Sequence, residues 1–512
     1  MQLSHIPSAV KLTRRNFQQL AIGAGLLSLP RWAMAISSPA SDDNLIIANN
    51  RFALNFLQHI ETDSPTSNQV FSPLSIESAL LMTMEGAHGN TAAEMGSTLS
   101  LPTSLQLADS NNPWALAPIR KEMTAILSSF QRSDPNNDSR ITKKLVAMRQ
   151  ELSQANERAG QLVREGKYQQ SQTFSAKAQA LADQINELAK SVDQYDLSIA
   201  NSIWADNSLP VKRDFQNTLA QAYHAAIENV DFSGEPEIQR KRINDWVSNS
   251  TEQKIKDLLP VGVVTSQTRM VLANAVYFRG TWEDPFQESQ TAPKPFFNLA
   301  SHETLVPTMF KYCTSSRYGA FNSDGTLFDS PKTLPADASP TAGYPQNGCQ
   351  VAELNYNGGE LSMLILLPTD RNGLETLVQT LSAEKMESWA QSLEERDFQI
   401  ELPKFKMEAK YDLKQSLTSM GMHDAFEPTA ADFSAISPQG LFISEVLHKA
   451  FIEVNEKGTE AAAATAVVMN PTSARIEDIP FIPEVIANHP FAFLIRHRQS
   501  GLILFIGKVE QL

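Results

Sequence analysis

Two serines, Ser72 and Ser75, stand in the run F-S-P-L-S-I. A hydrolase serine on an α/β scaffold needs a G-x-S-x-G elbow to lift its hydroxyl out of the chain, and none occurs. The apolar, helix-start setting instead predicts a buried hydrogen-bond cluster. Gly23-Ala24-Gly25 belongs to the N-terminal leader, and Gly86-Ala87-His88-Gly89 reads as a turn after a helix rather than a phosphate cradle. The residues whose spacing promises chemistry lie near the other end. Glu456 to Val468 reads E-K-G-T-E-A-A-A-A-T-A-V-V. Thr459, Ala461, Ala463, Thr465, Val467 and Met469 share one face at period two, and Glu460 opens the other. With no proline before Pro471, every N–H from Gly458 to Asn470 is free to join a ladder on both sides. The run is built to enter a packed sheet as a central strand, with Gly458 as its bend and small side chains at its leading end.

Length and composition bound the scaffold. The chain has 512 residues, 42% of them hydrophobic, enough for one large core or two ordinary ones. Thr13-Arg14-Arg15-Asn16-Phe17, a mildly apolar run from Leu20 to Leu29, and Ala33-Met34-Ala35 form a twin-arginine export signal with an A-x-A cleavage site. This predicts a leader over 1–35, a mature start at Ile36 and a periplasmic or extracellular destination. A general secretory signal that happens to hold two arginines is the alternative. The leader carries Lys11, Arg14, Arg15 and Arg31 and no acid, so its removal takes the net charge from −14 to −18. Nucleic acid is thereby excluded as a natural partner. No later apolar run reaches the length of a membrane span.

The Glu456–Val468 segment resembles the reactive-centre hinge of the serpins, serine protease inhibitors that work as suicide substrates. The likeness extends through Asn68 to Met95, similar to the family's buried helix and following turn. It continues through the strand segments Ile199–Trp204 and Val271–Trp282, and through His489–Gly507, which resembles the C-terminal hairpin. About three-quarters of the mature chain is covered, in the family's order. The resemblance implies an α+β fold of three β-sheets with eight or nine helices and an exposed reactive-centre loop, as a single domain over 44–512. It implies a hinge of Glu456, Gly458, Thr459, Glu460, Ala461, Ala462, Ala463, Ala464 and Thr465, within a loop and tether over 456–483. It also implies a sheet-opening cluster of Ser72, Ser75, Asn274 and His448, with Trp282 near the top where the loop enters.

Two stretches interrupt the family pattern. From about Pro102 to Asp193, apolar residues recur at spacings of three and four: Leu145, Met148, Leu152, Ala155, Ala159 and Leu162, then Phe174, Ala178, Leu181, Ile185, Leu188 and Val192. This predicts an inserted antiparallel helical hairpin over 139–192, turning at Gly166-Lys167. The second stretch, about 315–348, is rich in Pro, Ser, Asp and Gly and predicts an exposed loop, with Tyr318, Phe321, Phe328 and Tyr344 available to hold it to the surface. Cys313 and Cys349, the only two cysteines, flank that loop. A disulfide between them would restrain the unfolded chain by roughly 3–4 kcal/mol. Two unpaired buried thiols are the alternative.

Function follows from the resemblance. The expected activity is inhibition of a serine-type endopeptidase, with a cysteine protease as the second target class. The loop is cleaved and the acyl-enzyme is trapped when the loop inserts as a strand, giving a covalent complex with a monomeric inhibitor. No enzymatic activity, cofactor or metal is implied. Counting from Gly458 at the family's usual distance places the scissile bond at Thr472–Ser473, which suits enzymes accepting small residues. Counting back from Phe491 gives Ile479–Pro480, a poor bond. Arg475–Ile476 lies between and would attract trypsin-like enzymes. The loop is about seven residues longer than the common form. The competing reading is a non-inhibitory serpin that acts as a binding or scaffold protein through its helical hairpin.

Overall fold

Apolar runs that alternate in neither the helical nor the strand period must be buried on all sides. Pro73–Met84 is such a helix: every one of its residues is buried, its first residue is a proline, and Ser72 caps it by accepting the Ser75 amide on Oγ. Leu361–Pro368, Phe491–His497 and Ile503–Val509 are such strands, buried along their whole lengths in a seven-stranded sheet. The computed structural model describes residues 44–63, 68–130, 167–189, 195–225, 227–298, 302–314, 316–335, 339–459 and 478–512, with scattered residues between 144 and 165. These belong to one unit, Ala40–Leu512. They contain ten α-helices and sheets of seven, six, four and two strands. The first three are the three large sheets expected. The leader lies outside the described residues, as do Glu460 to Thr465 and the bond candidates Thr472, Ser473, Arg475 and Ile476.

The six-stranded sheet positions the site. Its order is Phe405–Asp412, Glu445–Asn455, Gly458–Thr459, Met270–Thr281, Tyr195–Asp206, Ile227–Val230. Along the central strands, Val276, Phe278, Ala450 and Ile452 face the main core. The intervening Ala273, Ala275, Tyr277, Leu447 and Phe451 join a second cluster with Ile243 and Val247 of the Pro236–Ser250 helix. That helix covers the outer face and is fastened to the chain that follows it. Asn244 exchanges hydrogen bonds with the main chain of Leu259, and Arg240 donates to the same carbonyl at 2.7 Å.

In the first inserted stretch, a 14-residue helix, Leu116–Ser129, turns Ile119, Met123 and Ile126 into the core. Tyr168–Ala189 forms a 22-residue helix. Ile185 packs with Met148, Leu152 and Leu188, and Ser171 Oγ donates to the Ala159 carbonyl at 3.1 Å. The second stretch departs from an exposed loop. Arg317–Phe321 is a strand of the seven-stranded sheet, paired with Cys349–Glu353, and Tyr318 and Phe321 are core residues rather than surface anchors. Local Pro/Gly/Ser content hid it, because five residues are too few for a period-two pattern to show.

Candidate functional site

Glu445–Asn455 and Met270–Thr281 are the two strands around which the site is built. From Glu445 to Phe451 they pair directly and in parallel with Val271 to Tyr277. Above that they diverge, and Gly458–Thr459 fills the gap, antiparallel to both: Val454 and Gly280 flank Thr459, Asn455 and Thr281 flank Gly458. The chain reverses through Glu456 and Lys457, with the Lys457 amide donating to Asn455 Oδ1 at 3.0 Å. Gly458 has φ +148°, and a Cβ there would lie 2.0 Å from the Gly280 carbonyl oxygen. Only glycine brings the backbone this close.

Thr459 is fully buried, and its hydroxyl meets the Tyr356 phenol at 2.8 Å. Burial pushes that phenol well above its ordinary pKa, so it stays protonated and able to share the bond. Tyr356 stacks on Trp282 at 4.6 Å, a contact worth roughly 0.5–1.5 kcal/mol. Trp282 holds the turn from the other side, its indole donating to the Asn455 carbonyl at 3.0 Å and its amide to the Lys457 carbonyl at 2.9 Å. Glu456 bonds Lys404 at 2.9 Å and Thr291 Oγ1 at 2.8 Å. Burial raises the Glu456 carboxyl, but the hydrogen bonds from Lys404 and Thr291 and the lysine charge outweigh it, leaving the pKa below the ordinary value.

Lower in the junction, Ser72, Ser75, Asn274 and His448 come together. The Asn274 amide nitrogen reaches the Ser75 carbonyl at 2.7 Å and Ser75 Oγ at 2.6 Å, and also contacts Asn201 Oδ1. Its oxygen bonds His448 Nδ1 across the parallel strand pair. The Ser72 amide donates to His448 Nε2 at 3.2 Å, which assigns the proton to Nδ1. Burial lowers the His448 pKa to about 3, so the ring is neutral at physiological pH. This geometry does not serve hydrolysis. The accepting nitrogen is taken by a main-chain N–H, and the Ser72 hydroxyl caps a helix. Trp282 belongs to the turn above, not to this cluster.

Asn201, Tyr356, Lys404, Thr291 and Tyr411, which stacks on His448 at 6.1 Å, complete the site without having been singled out in the sequence. Asn201 carried a signal as the amide inside I-A-N-S-I-W. The others reach the site through pairings far apart in the chain. Cys313 and Cys349 correct the expected bridge: both are free and buried, in the four-stranded and seven-stranded sheets respectively. Burial pushes the Cys313 thiol up to about 11 and raises Cys349 as well.

The family model for serpin (serine protease inhibitor) matches residues 47–512. Serpin B6 of Pongo abelii is 34% identical over 468 residues, covering 91% of this chain and 99% of its own. Leukocyte elastase inhibitor of Xenopus tropicalis is 32% identical over 471 residues, with the same coverage. Among solved structures, uncleaved ovalbumin superposes with a TM-score of 0.65 at 24% identity, over 92% of this chain and 100% of its own. Native protease nexin-1 with heparin superposes with a TM-score of 0.65 at 23% identity, over 91% and 99%. At those identities the two structures speak for the fold alone. With a family model matched over residues 47–512 and relatives matched almost end to end, the chain belongs to the serpin family, which is described as serine protease inhibitors and not as enzymes.

Proposed function

We propose that this serpin is an exported, monomeric suicide substrate for a serine protease, with Thr472–Ser473 as the bond it offers. The observation that carries the reading is the seat of Gly458–Thr459 between two strands that pair in parallel just below. One register step at a time past Thr459, the following residues would run down between those strands. Thr465 would then arrive between Asn274 and His448, which are already partners across the junction. Each step exchanges one parallel contact for two antiparallel ones, and a net backbone hydrogen bond contributes about 1 kcal/mol. Ala461 to Ala464 present little bulk to the strands they would part.

The protease serine Oγ attacks the Thr472 carbonyl carbon. The bond to the Ser473 nitrogen breaks, and that amine leaves with a proton delivered by the protease histidine. The ester on Thr472 then faces a race between water and insertion. Strand addition of this kind is a general device for driving such a switch. The name of the Xenopus relative supports an elastase-like target, in keeping with a small residue at the cleavage position. The N-terminal Arg14-Arg15 leader supports action outside the cytoplasm.

The test mixes the purified chain with elastase-, subtilisin-, chymotrypsin- and trypsin-like proteases. A boiling-resistant band at the summed mass, and a cleaved product melting higher than the intact chain, are expected. Cleavage by every enzyme with neither outcome refutes the reading.

A further inference from the structure

The chain is caught a second time beyond the loop. Asp478–Pro480 pairs antiparallel with Thr333–Pro335 of the second inserted stretch, forming a small sheet of its own. The next amide, Phe481, donates to the Lys332 carbonyl at 2.9 Å. The Phe481 ring is enclosed on three sides. Tyr344 meets it edge-on at 5.3 Å and the Arg396 guanidinium lies 5.6 Å from its centre. Gly343 packs so close that a Cβ there would fall 2.1 Å from the ring. Arg396 donates to the carbonyls of Ser330, Pro331 and Phe481, so one cation joins the inserted stretch to the tether. Tyr344 Oη accepts the Glu484 amide at 2.8 Å.

We propose that this clasp is a specificity determinant: it withholds Arg475–Ile476 from trypsin-like proteases and leaves Thr472–Ser473 as the reachable bond. The proposal rests on the reading of the loop as protease bait. An extended chain advances about 3.3 Å per residue. Ile476 is two residues from the paired Asp478, at most about 7 Å of chain, whereas Ser473 is five residues away, about 17 Å. A protease accepts its substrate as an extended strand lying between the walls of a cleft. On the leaving side of Arg475 that strand runs at once into the paired segment, where the cleft wall and the clasp would occupy the same space. On the leaving side of Thr472 five residues of chain precede the pairing, enough by length to lie in a cleft before the clasp begins. The Ile479–Pro480 bond lies inside the paired strand itself.

The test is limited trypsin proteolysis of the full chain with the cut sites mapped by mass spectrometry. The unmodified chain is compared with Gly343→Val, which drives a side chain into Phe481, and with Arg396→Ala. A free peptide spanning Asn470 to Phe481 serves as the unrestrained reference. The peptide should be cut at Arg475–Ile476 and the intact chain at least about tenfold more slowly there. Both variants should regain about tenfold, with elastase-like cleavage at Thr472–Ser473 unchanged. Equal rates for intact chain and peptide, or variants no faster than the intact chain, overturn the proposal. If the variants fail to fold, Leu334→Cys with Ile479→Cys, oxidised across that paired position, keeps it falsifiable: the closed clasp must not be cut at Arg475 faster than the intact chain. Because the readout is cut position, it stands or falls separately from covalent trapping.

Discussion

Replacing Thr459 with arginine tests the insertion mechanism at its first side chain. In the structure Thr459 has no exposed surface, lies between Val454 and Gly280, and shares a hydrogen bond with Tyr356. A guanidinium cannot hold this seat without shedding its water, so in the variant the hinge stands outside until cleavage and must then be driven in against an effective penalty of several kcal/mol. Loss of the threonine hydroxyl leaves the Tyr356 phenol unsatisfied at a further cost of about 1–3 kcal/mol. If only about 2 kcal/mol of this is felt in the transition state of insertion, the rate of insertion falls about 30-fold while hydrolysis of the ester is untouched. The variant should therefore pass from trap to substrate. The assay titrates protease with inhibitor and reads the stoichiometry, the covalent band and the melting temperature of the cleaved product. Thr459→Ser, which keeps the hydroxyl, should behave as the unmodified chain. Stoichiometric trapping by Thr459→Arg would refute the reasoning.

Lys404→Met removes the cation that holds Glu456; the lysine is 38% exposed, so solvent tempers the loss to about 1–2 kcal/mol, read as a lower melting temperature. Because the folded pKa of Glu456 is depressed, its contribution is present above the unfolded value near 4.3 and is lost as pH falls through the folded one. The gap between Lys404→Met and the parent should begin to narrow as pH falls below the unfolded value near 4.3 and go on narrowing with further acidification. His448, at about 3 against an unfolded value near 6.5, is buried neutral. Stability is full above pH 6.5 and is lost on acidification toward pH 3, and His448→Gln should flatten part of that slope in melting curves. His497, lowered to about 4, and His489, also lowered by burial, should leave the remainder. Cys313 and Cys349 should resist a thiol reagent in the native chain and react on unfolding, with identical gel mobility with and without reductant; a mobility shift would indicate a bridge.

The parts of the site legible in the sequence are those where one segment carries its own constraint. Gly458 and Thr459 announce a bend and a small leading residue, and F-S-P-L-S-I announces a capped, wholly buried helix. Tyr356 and Lys404 were illegible because nothing near them in the chain marks them. Their roles come from a stacked indole and a carboxylate that only the folded sheet brings close. The second inserted stretch departs from its sequence pattern in two ways. Tyr318 and Phe321 sit on a strand too short to show alternation, and a glycine that adds to the loop-like composition, Gly343, is what closes on Phe481. The two cysteines, symmetric about that stretch in sequence, diverge into separate sheets.

The Pro236–Ser250 helix spans the outside of the parallel junction, resting on the residues that must move apart if a strand is to enter. Its tether through Arg240 and Asn244 to Leu259 makes it a bolt across that door. If the loop inserts as proposed, how long an unused molecule keeps its potency in storage is a matter of how often the bolt slides, a rate, and is separable from how tightly the body as a whole is folded.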